Sequence, residues 1–195
     1  IILDDEAKES SPESAKIREP LVRFVHWARA FNVVNIDAQN ERQLRSTADP
    51  ITSLGQQAFG APSVFNFYRS GYIAPNSETG SRGLTAPEFQ IVNEASTVGY
   101  ANFMYDFVFN RTEAINNGNA SFETDEKDLS SDPSSLADRL DVILLGGRMS
   151  EQTREAIVEA VDNMPLDMAN DSDVLDRAKV AILIAVLSPE FAIDW

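Results

Sequence analysis

The sequence predicts an all-α fold: an irregular bundle of about five helices, with a long, ordered, aromatic- and Gly/Pro-rich loop over one end. Three observations carry this. Apolar residues recur at three- and four-residue spacing in five separate segments. Most of those segments begin or end on helix-boundary chemistry. No stretch alternates with period two for long enough to read as a strand. At 195 residues and 43% hydrophobic, the chain suits a single helical domain over 1–195 with a substantial core.

Residues 1–15 are acidic and polar and read as a strap or linker. Glu19-Pro20 opens a predicted helix over 21–34, since proline is favoured in a first turn. Leu21, Phe24, Val25, Ala28 and Phe31 share its predicted inner face. Arg23, His26 and Ala30 lie opposite, with Trp27 flanking them, so a further element is expected to cover that side. The loop then runs from Gly55 to Leu84, punctuated by Gly60-Ala61-Pro62, Ser70-Gly71, Pro75-Asn76, Gly80 and Gly83.

Thr85-Ala86-Pro87-Glu88 has the form of a capping box and predicts a helix over 86–109. Its inward positions are Val92, Ala95, Val98, Gly99, Phe103 and Phe107, with Gly99 explained by close packing on a neighbouring helix. Residues 110–131 are rich in Asn, Asp and Ser and read as a surface loop. Asp132-Pro133 begins a helix to about Leu145, stopped by Gly146-Gly147. Ser150 caps a helix over 151–164, and the last long helix covers 173–187. Ser188-Pro189-Glu190 starts a short terminal turn.

Composition excludes several classes of function. A net charge of −15 opposes nucleic-acid or anionic-membrane partners. The chain has no cysteine, hence no disulfide, thiolate metal site or cysteine nucleophile. The longest apolar run, 180–187, is too short to cross a bilayer. The abrupt start, I-I-L-D-D-E-A-K, reads as the interior of a longer protein. Charge is uneven: residues 16–45 hold six basic groups against three acids. That strip either docks on acidic parts of the same polypeptide or binds an anion.

Among chemistry-bearing residues, His26 is the one histidine, which excludes a histidine-rich zinc site. A triad with Ser63 is arithmetically open, but no G-x-S-x-G elbow supports it. Gly55 and Gly60 lack the Lys and Ser/Thr of a phosphate loop, because Ala61 and Pro62 stand there. Asp167, Asp171 and Asp173, with Asn170, are weak calcium candidates. They match no EF-hand register, and a solvated acidic loop is the plainer reading. Glu88 and Glu94 lie about 9 Å apart along one predicted helix, and a partly buried Glu94 would pair with an arginine or serve as an acid. Nothing implies a cofactor. The loop places Asn66, Tyr68, Arg69 and Tyr72 among Phe65 and Phe67. Such platforms suit sugars or other flat polar ligands; equally, Phe65 and Phe67 can anchor the loop on the helices.

Several phrases in order resemble one family. They are R-E-P-L-V-R-F-V-H-W-A-R-A-F (18–31), P-S-V-F-N-F-Y-R-S-G-Y (62–72), A-P-E-F-Q-I-V-N-E (86–94), L-A-D-R-L-D-V-I-L-L-G-G-R-M-S (136–150) and L-S-P-E-F (187–191). The resemblance is to the C-terminal part of the bacterial domain-of-unknown-function family 1800. It implies a helical protein of several hundred residues, often exported, encoded near a sulfatase-like family. It transfers no catalytic residue. The expected function is a non-catalytic binding or scaffolding module, working with an N-terminal part of the same protein and with a sulfatase-like protein or a glycan. The alternative is a hydrolase or carbohydrate-active enzyme whose site is shared with that N-terminal half and draws on Glu94, Arg69 and His26.

Overall fold

A computed structural model of the chain describes residues 15–35, 46–109, 120–121, 125–168 and 170–194. The predicted strap lies outside these residues except at its last position. So does most of the predicted loop over 110–131.

The architecture is helical. Five helices reach eight residues or more among the described residues: α1 (Pro20–Ala30), α3 (Glu94–Val108), α4 (Pro133–Leu140), α5 (Glu151–Asp162) and α6 (Asp171–Leu187). Two short ones, α2 (Glu78–Ser81) and α7 (Pro189–Ala192), join them. Extended structure amounts to two minimal antiparallel ladders: β1 (Lys16–Ile17) with β4 (Ile193–Asp194), and β2 (Val34–Asn35) with β3 (Ala120–Ser121). Within the region predicted as loop over 110–131, β3 and a 3₁₀ turn at Asp125–Leu129 are therefore regular structure.

Helix α6 is the centre of the bundle. It packs against α3, α4, α5 and α7, and Val174, Ala178, Ala181, Ile182, Ala185 and Val186 are buried. Its small residues let the neighbouring helices approach closely. Caps follow the sequence where Ser, Asp and Asn precede a helix. Asp132 accepts from the Ser135 amide at 3.2 Å, Ser150 from Thr153 at 3.2 Å, and Ser188 from Phe191 at 3.3 Å. Helix α4 ends differently from expectation, in a wider turn. Asp141–Leu145 forms a π turn, and Gly146 (φ 64°) closes it in the left-handed conformation that glycine adopts without penalty.

Two helices depart from their predicted limits. Helix α1 ends at Ala30, because Asn32 takes a left-handed conformation (φ 48°) and Val34–Asn35 pairs as β2. Its buried face is also rotated. Phe24, Trp27 and Phe31 are buried together with Arg23, whereas Val25 is exposed. Trp27 carries by far the larger apolar surface, and Val25 lies roughly 200° away on the helical wheel, so the interior takes the indole. Phe24 then meets Phe103 (5.1 Å, 76°) and Phe107 (5.0 Å, 66°) edge-on, and Trp27 meets Phe107 the same way (6.3 Å, 76°).

Helix α3 starts eight residues later than predicted. The Thr85–Glu88 capping box does not form; Pro87–Gln90 is a 3₁₀ turn instead. The box is made by Asn93 and Ser96. Asn93 Oδ1 accepts from the amides of Ala95 and Ser96, and the Ser96 hydroxyl accepts from the Asn93 amide at 2.9 Å. Tyr100, Met104 and Val108 join Gly99, Phe103 and Phe107 inside, while Val98 is exposed.

Candidate functional site

The loop sits on the N-terminus of α1 through polar contacts. Glu19 is the residue before the helix, yet its side chain caps nothing. The Leu21 amide, one of the helix's orphan donors, is accepted by Gln56 Oε1 at 3.1 Å. Gln56 Nε2 donates to Glu19 Oε2 at 2.5 Å, and Tyr68 Oη donates to Glu19 Oε1 at 2.6 Å. Burial first, then the bond to Glu19, hold the Tyr68 phenol protonated well above its ordinary range. Gln56 is itself buried, beside Leu54 in the core. Further on, Gln90 Oε1 accepts from the Arg69 amide at 2.9 Å, and the Tyr72 carbonyl accepts from Ala86 at 2.9 Å.

These ties fix a turn that faces outward. The Ser63 hydroxyl accepts from the Phe65 amide, and the Ser63 carbonyl from Asn66, each at 3.1 Å. Asn66 closes the turn in a left-handed conformation (φ 65°), which asparagine tolerates. Val64 and Phe65 are thereby thrust into solvent, Phe65 at 72% exposure. The reading of Phe65 as an anchor is overturned. Leu54, Gln56 and Tyr68 anchor the loop, and Phe67 is half-buried.

Beside the turn lies an open cavity of about 570 Å³, of the size that holds a small ligand. It is lined by Phe65, Asn66, Phe67, Tyr68, Arg69 and Gln90, among others. The Asn66 amide and the Arg69 guanidinium are exposed and make no side-chain hydrogen bond to the described residues. Aromatic faces and unengaged polar heads thus share one recess. Of the residues singled out from sequence, Asn66, Tyr68 and Arg69 come together here. Tyr72 is half-buried next to them but does not line the cavity.

His26 and Glu94 lie elsewhere. His26 Nδ1 is 2.9 Å from Arg18 Nη1, and its Nε2 is 3.3 Å from the Ile143 carbonyl in the π turn. A guanidinium can only donate, so Nδ1 accepts and Nε2 carries the proton. The ring stacks on Phe191 at 5.3 Å. Glu94 is exposed at the first position of α3, where a carboxylate suits the helix dipole; the expected partial burial is not found. Among the described residues, no group of three or more His, Asp or Glu could hold a metal. Asp171 and Asp173 lie in the first turn of α6, with Asp173 accepting from Asn170 at 2.8 Å.

The partners Glu19, Gln56 and Gln90 carry no sequence signal that would mark them. Each acts across 21 residues or more, on a contact only the fold creates.

No helix among the described residues is long and apolar enough to cross a membrane. No curated protein and no solved structure matches the chain. One family model does, described as a protein of unknown function, DUF1800, and it spans residues 1–193. With essentially the whole length matched, the chain belongs to the DUF1800 family.

Proposed function

We propose that this chain is a non-catalytic binding module of an exported bacterial protein, and that its ligand is a carbohydrate held in the recess beside Phe65. The observation that carries this is the pairing of an exposed, hydrogen-bonded aromatic turn with amide and guanidinium groups that no described side chain engages, in one cavity. Sugar rings present C–H faces that stack on aromatic side chains, and hydroxyls that meet groups such as Asn66 and Arg69. Scaffolding with an N-terminal part of the same protein, or with a sulfatase-like protein, would use the same surface.

The enzymatic alternative needed Glu94, Arg69 and His26 in one cleft. Of the three, only Arg69 lines the recess, and a site completed by other residues would still use it. Titration calorimetry against a panel of neutral and acidic oligosaccharides tests the binding reading. Measurable binding is expected, weakened at least tenfold by Phe65→Ala or Arg69→Ala. Absence of binding across the panel, or binding indifferent to both substitutions, would sink it.

A further inference from the structure

Among the described residues, Arg23 is a buried cation without a polar partner for its side chain. The residue is 7% exposed, its Nε is buried with no hydrogen-bond partner, and its side chain makes no hydrogen bond or ion pair to the described residues. Its guanidinium lies over the ring of Tyr100, whose centroid is 4.0 Å from the guanidinium carbon. Tyr100 is held in place by a hydrogen bond from its hydroxyl to the Val186 carbonyl at 3.3 Å. A cation–π contact offsets part of the burial cost but leaves the Nε–H unsatisfied. Burial depresses the Arg23 pKa, and Arg18 depresses it further; the Tyr100 hydroxyl opposes them.

The same chain shows how it completes a buried arginine when the role is structural. Arg177, 3% exposed, gives Nε to the Ser130 carbonyl at 3.0 Å and Nη1 to the Met164 carbonyl at 2.7 Å. Arg23 receives nothing comparable. A second cation, Arg18, acts on it electrostatically from a position where it reaches His26 and lies 5.4 Å from the Phe191 ring. A buried guanidinium whose Nε finds no acceptor among the described residues, with a second cation acting on it, is the kind of donor that oxyanions recognise.

We propose that Arg23 anchors a site for the oxyanion group of a small ligand, a carboxylate, sulfate or phosphate, with Arg18 adding positive charge. This site is separate from the recess at Phe65 and does not depend on it. The oxyanion would supply the acceptors that Arg23 lacks and relieve the repulsion between the two arginines.

Thermal melting of the full chain tests this in acetate, sulfate and phosphate, each against chloride at matched ionic strength. The arms separate planar carboxylates from tetrahedral oxyanions. At least one is expected to raise Tm by about 3–6 °C for each tenfold in concentration above its Kd. In Arg23→Met that response should vanish, while Tm in chloride stays level or rises, because an uncompensated buried charge has been removed. Arg148→Met, at an exposed arginine that bonds only the Leu145 carbonyl, should respond like wild type. No rise above chloride in any arm, or an equal rise in Arg23→Met, overturns the proposal. Should Arg23→Met fail to fold, the arginine Nε–H signals of the wild-type protein decide it by NMR. A saturable shift of the Arg23 signal supports the site, and its absence overturns it.

Discussion

Tyr68 reaches across 49 residues to place its hydroxyl 2.6 Å from Glu19, the residue that precedes α1. The recess beside Phe65 is therefore fastened to the bundle by one carboxylate, which also receives Gln56. A hydrogen bond to a charged acceptor contributes about 1.5–3 kcal/mol. Tyr68→Phe should lower stability by about that amount in urea denaturation. It should also speed tryptic cleavage after Arg69 or Arg82, which the loop now holds. Unchanged cleavage would mean that the loop is held chiefly by Leu54 and Gln56.

Gly99 is a second fixed point. A Cβ there would lie 2.3 Å from the Pro50 carbonyl oxygen and 2.9 Å from Ile51 backbone atoms. The close neighbour is thus the loop segment at 50–51, not the neighbouring helix expected from sequence. Backbone cannot swing aside as a side chain does. Gly99→Ala should be destabilising by about 1–3 kcal/mol from overpacking, despite the roughly 1 kcal/mol that alanine adds to helix propensity. A variant as stable as wild type in the same urea assay would show that this segment yields freely.

Glu190 gives the fold a dependence on acid. It accepts from the Ser150 amide at 3.3 Å and from the Thr153 hydroxyl at 3.1 Å, tying α7 to the start of α5. Burial raises its pKa, but hydrogen bonds, led by that from Ser150, lower it more, leaving it below the ordinary 4.5. Its contribution is therefore complete above pH 4.5 and lost as pH falls through the depressed folded value. Glu190→Gln should cost about 1 kcal/mol at pH 7. Melting curves of the two proteins should converge as the solution is made more acidic. A gap that stays constant down to pH 3 would remove the carboxylate from the explanation.

Local chemistry was readable wherever one residue decided the outcome. Asp132, Ser150 and Ser188 cap helices because their side chains accept from amides three residues on, a contact internal to the segment. Leu136, Leu140 and Leu144, four residues apart, are likewise a local pattern and are buried, with Ile143 beside them partly so. At the start of α3 the box expected from sequence was not the one that forms. Asn93–Ser96 won over Thr85–Glu88, whose segment folds as a 3₁₀ turn instead. In the recess, Asn66, Tyr68 and Arg69 were recognisable as a cluster because they are adjacent in sequence. Glu19 and Gln56, on which the cluster rests, were not.

By itself, then, the sequence determined the helical class, most helix boundaries and the family, since periodicity, caps and ordered phrases all lie within short spans of chain. The tertiary structure decided which way each helix turns and which polar groups meet. Trp27 displaced Val25 from the interior, Arg23 went inside with no acceptor for its Nε among the described residues, and Phe65 was left in solvent. Those outcomes depend on competition for a shared volume among segments far apart in the chain, and no local pattern encodes who wins it.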